Sequence, residues 1–194
     1  MSEQTVTADP APLGLSAFGL TTLLLSLSLS GVFGIDLEMA VIPLAVAFGG
    51  TIQLIAGVLE YLEGNTFGTV AFLSYGAFWW WFGLFLLLQL NGWIPEVSTA
   101  AFGMVLVGWG IFTTYMWIAT FKLNWALCVV FGLAVLTFFA LGIADLLGNS
   151  GLATAGGYIG ILLGLSALYT AAAEVINWSF GETVVPLGGA PLGN

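Results

Sequence analysis

The sequence predicts an all-α integral membrane protein: six transmembrane helices in one bundle around a narrow pathway. Three observations carry that prediction. Hydrophobic residues make up 60% of the 194-residue chain and charged residues only 6%. That is too little charge to clothe a soluble domain of this size. Six apolar runs each reach the about 20 residues that a helix needs to cross an about 30 Å hydrocarbon core. The alternating pattern of a membrane β-barrel is absent, so helices must satisfy the backbone in lipid.

The spans follow in order. Residues 1–9 are acidic and lack the positive stretch of a cleaved signal peptide, so the first span, 13–33, is expected to remain in place. A break with Asp36 and Glu38 precedes span 2, 39–61. Glu63, Gly64 and Asn65 separate it from span 3, 69–90. A loop from Asn91 to Glu96 leads into span 4, 98–121. Lys122, Leu123 and Asn124 precede span 5, 125–147, and Gly148, Asn149, Ser150 and Gly151 precede span 6, 152–178. The chain thus divides into an N-terminal arm over 1–12, a transmembrane domain over 13–178 and a C-terminal tail over 179–194.

Six crossings put both termini on one side. Lys122 is the only basic residue. The positive-inside rule assigns its loop, and both termini with it, to the cytoplasmic side of a plasma or inner membrane. A net charge of −9 argues against nucleic acid and anionic lipid surfaces as partners. Cys128 is the single cysteine, which excludes an internal disulfide and reads as a packing residue.

The inventory excludes much chemistry. Without histidine, bis-histidine haem, most zinc sites and histidine acid–base catalysis are out. No lysine lies mid-helix for a retinal Schiff base, and no Gly-rich phosphate motif with lysine occurs. No cofactor, metal or enzymatic step is expected. What remains is passage of a small solute, passive or ion-coupled, or a structural membrane role.

Several helix faces bear on that choice. In span 6, Gly156, Gly160 and Gly164 recur every four residues and let backbones approach closely, within or between subunits. A second face carries Ser166, Thr170, Glu174 and Asn177, which can line a pathway or bond neighbouring helices. Span 2 places Gly50, Gln53, Gly57 and Glu60 together; an amide at Gln53's depth needs partners. Span 1 aligns Phe18, Thr22 and Ser26, and span 3 aligns Tyr75, Trp79 and Phe82. Each face alone is ordinary packing; four together favour a narrow, mostly apolar pore with a few polar groups. Trp79, Trp80 and Trp81 turn about 100° apart, so they cannot share one face.

The stretch Asp9-Pro10-Ala11-Pro12-Leu13-Gly14-Leu15 closely resembles the signature of the acetate uptake transporters, the succinate–acetate permease family. Gly49-Gly50 with Gln53, Ala56-Gly57, Glu60-Tyr61, Gly64 to Gly68, Ser74-Tyr75-Gly76, Phe78-Trp79, and Glu174 with Asn177 agree in order, so the resemblance covers nearly the whole chain. It implies six helices per protomer, a homo-hexamer, and passage of acetate or a related small carboxylate through each protomer. It also implies a constriction of Phe18, Tyr75 and Leu133; a shift of one residue would put Ala134 there and widen the gate. Two departures stand out. The family's first Asn is Asp9 here, and Ser26 and Ser28 replace the Asn and His of bacterial members.

A carboxylate must therefore pass without a deep cation. A bare charge at a helix centre costs about 2.5–3.5 kcal/mol. Protonating an acid of pKa about 5 near pH 7 costs about 3 kcal/mol, so the anion and the acid are both open. Tyr75, Thr22 and Ser74 are candidate donors, and Glu60 and Glu174 candidate proton carriers. The candidate binding set is Phe18, Thr22, Ser26, Gln53, Ser74, Tyr75, Trp79, Leu133, Thr170, Glu174 and Asn177, with Asp9, Pro10 and Pro12 leading into span 1. Pro10 and Pro12 are expected to hold that lead-in extended. The leading reading is an acetate-type channel or proton-coupled transporter. An ammonia or small neutral solute channel and a structural or sensory membrane protein are the alternatives.

Overall fold

The computed structural model describes residues 8–193; the acidic start with Glu3 lies outside the described residues. Among the described residues, six helices are long and apolar enough to cross a membrane: α1 (Ala11–Leu29), α2 (Ile35–Leu62), α3 (Thr66–Leu90), α4 (Thr99–Thr120), α5 (Trp125–Leu147) and α6 (Ser150–Phe180). Among the described residues there is no strand.

Side-chain caps set where four of them begin. Asn65, Ser98, Asn124 and Asn149 each accept a hydrogen bond from the backbone N–H three residues on, at Gly68, Ala101, Leu127 and Leu152. These bonds satisfy first-turn donors that the helix itself leaves free. The caps start α3 and α6 earlier than hydropathy alone suggests. Gly148 and Gly181 end α5 and α6 at φ +61° and +71°, a backbone region that glycine enters without steric cost.

Three expected features are corrected. Span 1 ends at Leu29 rather than at residue 33, because the chain turns at Ser30 and at Gly31, whose φ is +78°. Asp36 and Glu38 are not loop residues; they form the first turn of α2, where acids face the positive end of the helix dipole. The segment before α1 is not extended. Pro10 is helical, with φ −82° and ψ −13°, and caps α1, while Pro12 sits in the first turn. A proline costs no hydrogen bond there, since those N–H groups have no intrahelical partner.

Helix α2 is irregular inside. Pro43 removes one N–H donor, and Ala45–Ile52 continues as a π-helical segment. The Thr51 hydroxyl donates to the Val46 carbonyl at 2.9 Å, and the Trp80 indole N–H donates back to Thr51 at 3.2 Å. Gly49 and Gly50 lie in this segment. A Cβ on Gly49 would come within 2.9 Å of the Trp79 ring, and one on Gly50 within 2.6 Å of Trp80. The segment thus admits two of the three adjacent tryptophans. Trp79 is buried, Trp80 is partly exposed on the outer face, and Trp81 stacks on Phe85 and Phe102.

The helices form a ring in chain order, and α6 closes onto α1. Glycines make the closest seams. A Cβ on Gly164 would lie 2.7 Å from the Leu23 backbone nitrogen, and Gly157 and Gly160 lie against Ser30 and Ser26. Gly156 instead meets Leu141 of α5, at 2.7 Å. The glycine face of α6 is therefore a packing face within one subunit. Gly103 and Gly142 join α4 to α5, and Gly57 and Gly76 join α2 to α3. By contrast, α3 and α4 meet through rings, with Phe78 on Trp109 at 5.1 Å between centroids and Trp81 on Phe102 at 5.4 Å.

Candidate functional site

Two cavities penetrate the helix ring and share one lining residue, Phe18. The first, about 380 Å³, opens at the end that carries Asp9, Asn65, Lys122 and Asn124. The second, about 450 Å³, opens at the end that carries Glu38, Gln89, Glu96 and Asp145. The alternating direction of the helices puts these groups at opposite ends of the bundle.

Phe18 and Tyr75 stand between the cavities, with ring centroids 5.6 Å apart and both side chains buried. Tyr75 is held on every side. Phe112, Trp109, Phe131 and Phe138 surround its ring at centroid distances of 5.6, 5.9, 6.1 and 6.4 Å. Its hydroxyl donates to Thr113 Oγ1 at 2.9 Å, and Thr113 donates to the Trp109 carbonyl at 2.7 Å. The expected role of Tyr75 as a free donor is corrected by this bond: its proton is committed to α4. The ring is what faces the first cavity.

Helix α5 crosses the same level. Phe131 and Ala134 line the first cavity, and Thr137 and Phe138 line the second. Leu133 lines neither. It is half-buried against the core, and its carbonyl accepts from Thr137. A residue one position on is turned by about 100°, so Ala134 presents its small side chain where Leu133 was expected.

Five buried side-chain atoms among the described residues have no hydrogen-bond partner: Thr22 Oγ1, Gln53 Oε1, Glu60 Oε1, Trp79 Nε1 and Glu174 Oε2. All five residues line the two cavities. Gln53, Glu60 and Glu174 face the first, and Thr22 and Trp79 face the second. A buried polar group without a partner costs about 1–3 kcal/mol. All five stand where a water or a solute inside a cavity could bond them. Acceptor oxygens lie on one side of the Phe18–Tyr75 pair, and an indole N–H and a hydroxyl on the other.

The remaining candidates divide. Ser26 lines the second cavity and sits against Gly160, which has no Cβ to displace it. Ser28 donates to the Gly34 carbonyl at 3.3 Å and, like Ser74, lines neither cavity. Thr170 donates to the Ser166 carbonyl of its own helix and faces a lateral groove away from the path. Asn177 clamps the tail: its amide donates to the Val185 carbonyl, and its oxygen accepts from the N–H groups of Val184 and Val185, each at 2.8 Å. Asp9 lines the first cavity's mouth and accepts the Ala11 N–H at 2.9 Å; Pro10 and Pro12 shape that helix start without lining the cavity.

Sequence reasoning missed the cage around Tyr75. Trp109, Phe112 and Thr113 on α4, and Phe131, Ala134 and Phe138 at i, i+3 and i+7 on α5, are the signal for it. It also missed the tail as a strap. The first two N–H groups of α5, on Trp125 and Ala126, donate to the carbonyls of Gly189 and Leu187. Lys122 Nζ donates to the Gly193 carbonyl at 2.8 Å.

The sequence pattern of the GPR1/FUN34/yaaH family matches residues 1–187. The chain is 41% identical over 181 residues to the succinate-acetate/proton symporter SatP of Escherichia coli K12, covering 93% of this chain and 95% of that one. It is 37% identical over 201 residues to acetate permease A of Emericella nidulans, covering 95% of this chain and 67% of that one. A solved structure of the bacterial acetate channel SatP superposes with a TM-score of 0.91 at 40% identity, over 94% of this chain and all of that one.

Proposed function

This chain belongs to the GPR1/FUN34/yaaH family, and on that premise we propose that its two cavities are the halves of one acetate pathway, closed between Phe18 and Tyr75. The protein is a multi-pass membrane protein that transports acetate and related small monocarboxylates. The observation that carries the pathway is the placement of all five unpartnered buried polar atoms on the walls of the two cavities.

Acetate's two ends match this lining. Its methyl group passes the aromatic rings at the cost of little more than a close fit. Its oxygens are acceptors for the Trp79 indole and the Thr22 hydroxyl. The pair of rings sets the size limit. The protein works as a homo-hexamer with one path per protomer, a reading supported by the family resemblance. The mouth with Asp9 and Lys122 faces the cytoplasm across a plasma or inner membrane, supported by the position of the only basic residue. The coupling of acetate to a proton is supported by the name of the E. coli relative.

Counterflow of labelled acetate into proteoliposomes tests this reading. Uptake driven by internal unlabelled acetate, with larger carboxylates competing poorly, is the expected result. No counterflow would leave a structural protein, and flux indifferent to the size of acetate analogues would leave a small neutral solute pore.

Asp9→Asn provides a second check at the mouth. The amide keeps an oxygen for the Ala11 N–H, removes a negative charge from the rim and adds a donor. Uptake near neutral pH is expected to rise several-fold at equal expression. Unchanged or lower uptake would reduce Asp9 to a helix cap.

A further inference from the structure

We propose that Glu60 is the proton-loading carboxyl of the path, with Glu174 its partner on the same cavity, so that acetate takes its proton there and crosses the Phe18–Tyr75 constriction as the neutral acid. The proposal rests on the acetate pathway above and assigns its coupling site.

Glu60 is 1% exposed, yet its Oε1 has no hydrogen-bond partner and its side chain lines the first cavity. A carboxylate so placed in a membrane helix needs a cation, a donor or a proton. No cation reaches it from the protein interior. The only basic side chain, Lys122, is exposed at the cavity rim and donates to the Gly193 carbonyl. The Asn65 amide bonds the carboxyl but leaves Oε1 without a partner, so only a proton removes the charge. The fold builds space for this group: a Cβ on Gly68 would collide with the Glu60 carboxyl and lie 2.9 Å from Asn65 Nδ2. Glu174 comes from the opposite seam, on α6, and turns a second unpartnered oxygen, Oε2, to the same cavity.

The other titratable groups near Glu60 do not neutralise it. Asp9 stands ahead of α1, and Glu63 follows on from α2; both are acids. Tyr75 of α3 has its proton committed to Thr113. Helix α5 contributes only apolar side chains to this wall: Leu127, Val130, Phe131 and Ala134. An acetate anion that enters adds negative charge to a cavity already lined by three carboxyl groups, Asp9, Glu60 and Glu174. A proton shared with it removes that repulsion.

The step balances. The O–H bond of the Glu60 carboxyl breaks, its electron pair stays on Glu60, and the proton bonds an acetate oxygen to give acetic acid. The acid passes the rings, where a bare anion would lose its water without a cation in return. Glu60 regains a proton from water at the mouth beside Asp9 and Lys122. One proton and one acetate move together, and the reverse sequence carries them the other way.

The test is the initial rate of labelled acetate uptake into proteoliposomes, less that of protein-free liposomes, with an internal pH dye read at the same time. In the wild type the rate is expected to rise several-fold between about pH 8 and about pH 6, and not to respond to an imposed membrane potential. Glu60→Gln is expected to flatten the pH profile and remove the dye signal. Glu174→Gln is expected to weaken both, and Glu60→Asp to restore part of both. Wild-type coupling retained in Glu60→Gln would overturn the proposal. So would a wild-type rate driven by membrane potential, the sign of bare anion passage. Were Glu60→Gln not to assemble, infrared difference spectra of the wild type decide. A protonated-carboxyl band that responds to acetate is expected; its absence would refute the assignment. Failure of the wild type to move acetate at all would instead refute the pathway reading.

Discussion

Tyr75→Ala is expected to raise acetate flux several-fold and to admit larger carboxylates. The Tyr75 ring is one of two that separate the cavities, and its neighbour Phe18 cannot fill the space alone. The change also empties the centre of the cage made by Trp109, Phe112, Phe131 and Phe138. Removing a buried aromatic side chain costs about 3–5 kcal/mol, so a lower thermal midpoint is expected as well. Tyr75→Phe separates the two effects. It keeps the ring and loses only the bond to Thr113, worth about 0.5–1.5 kcal/mol. Flux and size selectivity near wild type are expected for Tyr75→Phe. A loss of selectivity in that variant would place the gate in the hydroxyl rather than in the ring.

The second large effect is Gly164→Ala. A Cβ there would lie 2.7 Å from the nitrogen and 2.8 Å from the Cα of Leu23. Those are backbone atoms and cannot swing aside, so α6 must move away from α1. Overpacking of this kind costs about 1–3 kcal/mol. It also disturbs the seam that places Ser26 on the second cavity. A lower thermal midpoint in detergent and reduced acetate flux are expected. Gly108→Ala is the control. Nothing lies within 4 Å of a Cβ at Gly108, on the exposed face of α4. Alanine there is expected to be neutral or to stabilise by up to about 1 kcal/mol, through helix propensity. Equal behaviour of the two variants would mean that the α1–α6 seam is not as tight as it stands here.

The six spans were legible because length and hydropathy report on lipid, and lipid leaves the backbone few choices. The ends were less so. Hydropathy counts Asp36 and Glu38 against a helix, whereas the helix dipole favours acids in its first turn. The π-helical segment after Pro43 left no pattern to read, since a span tolerates proline when neighbours satisfy the freed groups.

Facing was harder to read than crossing. Lipid and protein interior both accept apolar side chains, so composition does not say which side of α3 or α5 looks inward. The pairing of Phe18 with Tyr75 as a constriction came from family resemblance, and the same resemblance left Leu133 and Ala134 open. The register of α5 brings Ala134 to the cavity wall. Asn177 shared a face with Glu174 in sequence, yet its partners are backbone groups of Val184 and Val185. Such partners exist only once the tail has folded back. Five residues on the polar helix faces read from the sequence, Thr22, Gln53, Glu60, Trp79 and Glu174, each keep an atom without a partner inside the bundle.

The most direct test of a path past Phe18 is a thiol block at Thr22, which lines the second cavity one helical turn beyond it. Cys128 is the only native cysteine and is buried, so Thr22→Cys in a Cys128→Ser background carries a single reporter. Labelled acetate flux is measured before and after a small methanethiosulfonate reagent reaches the thiol. Loss of flux, with excess acetate slowing the reaction, is the result expected if acetate passes between Phe18 and Tyr75. Complete modification of the thiol with flux unchanged would contradict that path.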